Sequence, residues 1–322
     1  DRYSVVTPWE EVSLKEKMPY LQKLNDKVFA LDNRVRKVQA SLSDSTSHVL
    51  FCNSEGVSYY DYRPMVSFMA VCIMEENGKM ENGYAGRSYR KGFEFMTDDV
   101  VDVIAREVVD RTAILFKAIK PKGGEMPVVM GSGGSGILLH EAIGHAFEAD
   151  FNRKDISIFA GQLNKKVCNE HINVVDDGTI PFNRGSVNFD DEGVEGQKTY
   201  IVKEGVLTSY LHDRISAKHY GVEPTGNGRR ESFRNMPIPR MRATYMEAGN
   251  VNESDIISSV KKGIFVDNFT NGQVQIGAGD FTFFVKSGYM IEDGKLTQPI
   301  KDINIIGNGP NALADITMVA TN

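Results

Sequence analysis

Six histidines, three cysteines and a single tryptophan in 322 residues leave few side chains suited to metal or redox chemistry. Cys52, Cys72 and Cys168 are too few for a disulfide framework in a chain this long, so they read as reduced thiols in a reducing, cytoplasmic setting. No apolar run approaches the roughly 20 residues that cross a bilayer, which excludes a membrane-spanning helix. There is no excess of basic residues either. The net charge of -6 removes the electrostatic case for nucleic acid or an anionic membrane as the main partner. Repeats and low-complexity tracts are missing, and 41% hydrophobic with 25% charged residues is enough to build a sizeable core.

What is present reads as an α+β chain of antiparallel β-rich sheets with packed helices. Thr7-Pro8-Trp9-Glu10 and Ser13-Leu14-Lys15-Glu16 both have capping-box spacing. Leu14, Met18, Leu21, Leu24, Val28 and Leu31 then recur at helical intervals, with Pro19 among them. Short β-rich runs follow from about Val35 to Phe95, separated by turn signals at Asn77-Gly78 and Asn82-Gly83, and predict a meander. Thr97 caps a second helix striped by Val100, Ile104, Val108 and Leu115. Breakers at Pro121-Lys122-Gly123-Gly124 divide the chain into domains 1–121 and 122–322. The second is expected to hold a helix over Ile137–Phe151 and hairpins at Lys203-Glu204-Gly205 and Glu292-Asp293-Gly294. It also predicts helices near Leu211–Tyr220 and Ser254–Lys262, with Gly221 and Gly263 as C-terminal caps.

His140-Glu141-Ala142-Ile143-Gly144-His145 places two imidazoles and a carboxylate within six residues. Imidazole nitrogens hold zinc, and a carboxylate beside them can take a proton from water. On an ideal α-helix, however, side chains five positions apart point about 140° away from each other. A metal site therefore demands a local π-type widening, and Gly144 is where distortion should be cheapest. The alternative is a helix whose histidines cap or line the interior, with Glu141 on the solvated side.

Other features compete for a role. Gly131-Ser132-Gly133-Gly134-Ser135-Gly136 fits G-x-G-x-x-G between a strand and a helix, with Asp150 at the distance of a ribose-binding acid. The competing reading is a turn that lets the helix approach the sheet. Arg229, Arg230, Arg234, Arg240 and Arg242 form either a clamp for a peptide carboxylate or acidic side chain, or a solvated, partly salt-bridged loop facing Asp190, Asp191 and Glu192. Cys168 reads as a buried structural thiol; Glu148, one turn beyond His145, is within reach of a metal but reads rather as a partner that orients His145 or is simply solvated. Asp176 and Asp177 read as turn residues before Gly178, while His48, His171, His212 and His219 stand isolated.

The run Leu138–His145, continuing through Glu148 and Asp150–Lys154, resembles the HExxxH signature of TldD/PmbA-type metallopeptidases. Collinear likenesses follow at Val174–Thr179, Arg184–Ser186, Asp190–Gly193, Pro224–Ser232, Pro239–Met241, Thr244–Met246, Gly272–Val274 and Ile306–Gly309. They cover roughly residues 124–322, and the stretch before them is similar more loosely. The resemblance implies a metal-dependent peptidase acting on unfolded or leader-type peptides, with His140 and His145 as zinc ligands and Glu141 as general base. It further implies a third ligand, a cysteine in a segment following Asn322, and a family portion preceding Asp1. The expected partners are peptide substrates and a second subunit, in a homodimer or a heterodimer with a PmbA/TldE-like paralogue. The alternative from a different class is a non-catalytic, metal-free partner subunit of such a complex.

Overall fold

A computed structural model describes residues 1–322 apart from Gly134 and Ser135. Its contacts group into two compact units: 1–118 with 180–186, and 119–179 with 187–322. Both mix helices with mainly antiparallel sheets, so the architecture is α+β.

In the first unit, helix α1 (Leu14–Leu31) begins at the Ser13 capping box, where Glu16 Oε2 accepts from both the Ser13 amide and its hydroxyl at 2.9 and 2.7 Å. The Thr7 signal yields only a 3-10 turn over Trp9–Glu11. Strands β1 (Val35–Cys52), β2 (Ser58–Glu76) and β3 (Lys79–Tyr89) form the expected meander, but as long continuous strands. Asn77 and Gly78 both take positive φ and turn β2 into β3. Asn82-Gly83, expected as a second turn, instead lies inside β3. Its glycine is needed because a Cβ there would overlap Thr112 Oγ1 of helix α2 (Asp98–Ala113). Helix α2 is capped by the Thr97 hydroxyl, which accepts from the Val100 amide at 3.3 Å. It buries Val101, Ile104 and Val108 against Phe68, Ala70 and Met74 of the sheet. Of the α1 stripe only Leu24 and Val28 are fully buried, while Leu14 and Met18 are exposed.

The second unit holds strand β4 (Val128–Met130), short helices α3 (Gly136–Leu138) and α4 (Ala149–Asn152), and strands β5 (Val174–Asp177), β6 (Lys198–Lys203) and β7 (Val206–Leu207). Helix α5 (Arg214–Tyr220), strands β8 (Gly228–Arg229), β9 (Ile238–Pro239) and β10 (Thr244–Met246), and helix α6 (Glu253–Ser258) follow. Strands β11 (Lys262–Val274), β12 (Asp280–Glu292), β13 (Lys295–Ile300) and β14 (Ile303–Asn308) lead to helix α7 (Gly309–Ala314). One sheet has the order β13-β12-β11-β4 with β14 also on β12, and a second has the order β10-β5-β6-β7. The hairpins at Glu204-Gly205 and Asp293-Gly294 have positive φ at both positions, as their sequences require. Gly221 caps α5 at φ 65. Gly263 does not cap α6: it sits in β11 opposite Ile291, where a Cβ would press on the Pro127 carbonyl.

His212, expected as an unremarkable isolated histidine, is 3% exposed and packed against the rings of Tyr210 and Tyr220. Its Nδ1 has no hydrogen-bond partner. Burial lowers its pKa from 6.5 to about 4, so the folded chain holds it neutral. Between those values the unfolded state binds more protons, and stability falls as pH drops from 6.5 towards 4. The span corresponds to about 3 kcal/mol. Urea midpoints for the wild type and His212→Phe should therefore diverge across this window, the variant losing less on acidification. Parallel curves would contradict the assignment.

No described helix is long and apolar enough to cross a membrane.

Candidate metal centre

The segment expected as one helix over Ile137–Phe151 is broken into four pieces. Helix α3 gives way to a π turn over Leu139–Ile143, then to a 3-10 turn over Gly144–Phe147, before α4. The Gly144 amide donates to the Leu139 carbonyl five residues back, as a π turn requires. Adding one residue to the turn stacks positions i and i+5 on one face. The widening that the spacing demanded is thus in place.

Gly144 is not the residue that supplies it. Its backbone is ordinary right-handed helix (φ -60, ψ -47), and Ile143 carries the departure at φ -128. What Gly144 contributes is room, because a Cβ there would overlap the Met241 sulfur. At Glu148 the backbone turns extended (φ -70, ψ 128) and bridges Leu211, which ends the helical run.

The consequence is a compact donor set. The His140 and His145 rings stand 4.9 Å apart, nearly perpendicular. Glu141 lies between them, with one oxygen 3.9 Å from His140 Nε2 and the other 3.8 Å from His145 Nε2. One donor atom from each of the three side chains falls within 4.8 Å of the other two. The three side chains are part-exposed, at 45% for His140, 34% for Glu141 and 25% for His145. Two imidazoles and a carboxylate at this separation suit a zinc-type ion better than a hard, all-oxygen cation.

Glu148 resolves the choice left open by the sequence. It is fully buried, and its Oε2 accepts from His145 Nδ1 at 3.0 Å, so that in the neutral ring it is the Nε2 lone pair that faces Glu141. The same oxygen is 3.2 Å from Arg240 Nη1, which also lies 3.5 Å from Asp150 Oδ2. The other Glu148 oxygen accepts from the Met241 amide at 3.3 Å. The two rings are consequently tuned in opposite directions. The Glu148 bond raises the pKa of His145, whereas burial and the neighbouring His145 lower that of His140. Replacing Glu148 with Gln should weaken metal affinity by about 10–100-fold in a chelator competition, and an unchanged affinity would contradict its orienting role.

The arginine loop divides between roles. Arg240 is absorbed by Glu148 and Asp150, and Arg242 donates to the Gly226 and Gly228 carbonyls at 3.1 and 3.0 Å. Asp176, read from sequence as a turn residue, is a fully buried member of β5. It accepts from the Arg242 amide, the Thr244 hydroxyl and Asn227 Nδ2 at 2.8, 2.7 and 2.6 Å. The dipeptide with Gly178 suggested a turn, but the chain turns only after Asp177. Cys168 is buried, and burial pushes its thiol to about 11, so it is an inert core group far from a thiolate ligand in character. The G-x-G-x-x-G reading loses its structural context. Two of its residues lie outside the described ones, β4 and the next strand β5 belong to different sheets, and Asp150 is on a helix beside Arg240.

Residues 7–116 match the sequence pattern of the PmbA/TldA metallopeptidase central domain, and residues 123–322 that of its C-terminal domain. The chain is 42% identical over 324 residues to the metalloprotease TldD homolog of Haemophilus influenzae, covering 99% of this chain and 67% of that protein. It is 29% identical to the zinc metalloprotease TldD homolog of Saccharolobus solfataricus, covering 95% and 68%. Its fold is similar to that of TldE from Thermococcus kodakarensis, with a TM-score of 0.81 at 21% identity over 99% of this chain and 74% of that one. On the domain patterns, the likeness to a TldD homologue over 99% of this chain and the shared fold, the chain belongs to the PmbA/TldD metallopeptidase family.

Proposed function

We propose that this chain hydrolyses peptide bonds in unfolded or leader-type peptides, using zinc held by His140 and His145. The observation that carries the reading is the π turn, which aims both Nε2 atoms at the Glu141 carboxylate. When bound, zinc supplies Lewis acidity, lowering the pKa of water and polarising a carbonyl. Zinc as the metal is supported by the donor set and by the name of the Saccharolobus relative.

The chain's own residues then divide the work. Glu141 takes a proton from the attacking water as its oxygen bonds to the carbonyl carbon, and returns it to the amide nitrogen as the C–N bond breaks. Glu148, Arg240 and Asp150 hold His145 in place throughout. Among the described residues strand β4 pairs only with β11, at the end of its sheet, so an extended peptide can add beside it through main-chain hydrogen bonds. A second subunit, a copy of this chain or a TldE-like paralogue, completes the assembly, in keeping with the fold shared with TldE.

Elemental analysis of the intact protein tests the metal assignment. About one zinc per chain is expected in the wild type, lost in both His140→Ala and His145→Ala. A wild type without stoichiometric metal would instead favour a non-catalytic partner subunit.

A further inference from the structure

Arg240 is ion-paired to Glu148 and Asp150 through Nη1, and Arg242 donates to two backbone carbonyls through Nε and Nη2; Arg229 is held more lightly. Its Nη1 donates one hydrogen bond, 3.2 Å to the Met241 carbonyl. Among the described residues it forms no ion pair, and the residue is exposed as a whole, although its surroundings desolvate the guanidinium enough to lower its pKa. A guanidinium carries five N–H donors in a planar fork matched to a carboxylate, so most of this one remains available.

The position of that fork is nevertheless fixed. Arg229 pairs with Ile238 across the β8–β9 ladder, which sets its backbone. The residue that holds its Nη1, Met241, is the one whose amide reaches Glu148 at 3.3 Å and whose sulfur rests against Gly144. The arginine is thereby tied to the same short segment that braces the His145 side of the donor set. Its charge also reaches His140, where it opposes protonation. Arg230, whose amide donates to Asp191 at 2.8 Å, follows it in the chain and adds positive potential at the surface.

We infer that Arg229 binds a carboxylate of the peptide substrate, beside the His140–Glu141–His145 cluster. A cation with unused donors, tied through Met241 to the segment that braces the donor set, recognises an oxyanion, and a peptide offers one at its C-terminus or on an Asp or Glu side chain. The inference rests on the peptidase reading, and it adds a preference for negatively charged substrates that the reading alone does not contain.

The test uses the intact, zinc-loaded protein carrying Glu141→Gln, so that peptides bind without being consumed. Fluorescence anisotropy measures affinity for one unstructured labelled heptapeptide in three forms: free C-terminal carboxylate, C-terminal carboxamide, and carboxamide with one internal Gln changed to Glu. With Arg229 present, at least one charged form should bind roughly tenfold more tightly than the neutral form, and which one identifies the source of the carboxylate. Arg229→Met should erase that gap while leaving the neutral peptide's affinity unchanged, and Arg229→Lys should restore part of it. Equal affinities for all three forms, or a uniform loss in Arg229→Met, would overturn the carboxylate role and leave the peptidase reading standing. Failure of every form to bind would remove both.

Discussion

Glu141→Gln should lower hydrolysis of unstructured peptides by a factor on the order of 100 to 10,000 while leaving zinc content and unfolding midpoint unchanged. The substitution keeps the shape of the side chain and removes only its basicity. Glu141 is suited to the role by its surroundings: its two oxygens face the two Nε2 atoms at 3.9 and 3.8 Å, and its side chain is about one third exposed. Unlike Glu148, which is buried and bonded to His145, Arg240 and Met241, it has no partner among the described residues besides the two histidines. Steady-state kinetics with parallel elemental analysis separates the alternatives. Wild-type turnover in the variant would end the assigned role, and loss of zinc along with turnover would show that Glu141 is a ligand and not a base.

The second large effect is expected from a residue outside the cluster. Gly309, at the start of α7, packs so closely on the π turn that a Cβ would overlap the Ala142 carbonyl. Its amide is fixed by a 2.7 Å bond to the Gly279 carbonyl, and Leu313 one turn later is fully buried in the same core. Neither side has room to retreat, because both contacts are backbone. Gly309→Ala should therefore cost about 1–3 kcal/mol as overpacking and push the π turn out of its widened register. Zinc affinity should fall with it, as the two rings separate. Urea denaturation and chelator competition read the two effects. A variant with normal affinity would mean that the π turn is held by its own hydrogen bonds and not by α7.

The α+β class, both capping helices and the primed turns were legible in sequence because each rests on local chemistry: a Ser-x-x-Glu box, a threonine cap, or an Asn-Gly or Asp-Gly pair. The π turn was legible for a different reason. Two imidazoles five apart serve one metal only if the helix widens, so the proposed chemistry itself predicted the distortion. Which residue would absorb it was not. Glycine freedom pointed to Gly144, whereas the structure uses Ile143 for the bend and Gly144 for the contact with Met241, a residue almost a hundred positions away. Gly83 and Gly263 were misread in the same way. Both looked like turn or cap glycines, and both are strand positions kept small by a neighbour distant in the chain. Asp176 and Glu148 show the limit from the polar side. Nothing in their local sequence says that their partners are Arg242, Thr244 and Asn227 or Arg240 and Met241, since every one of those contacts is long-range.

The central claim is that the π turn exists to bring His140 and His145 onto one ion. Crystals of the intact protein grown with zinc, measured on both sides of the zinc absorption edge, test this most directly. The account predicts a single strong anomalous peak ligated by His140 Nε2 and His145 Nε2, with the Glu148 carboxylate still on His145 Nδ1. A peak held by neither histidine, or by only one of them through a regular α-helix, would contradict it.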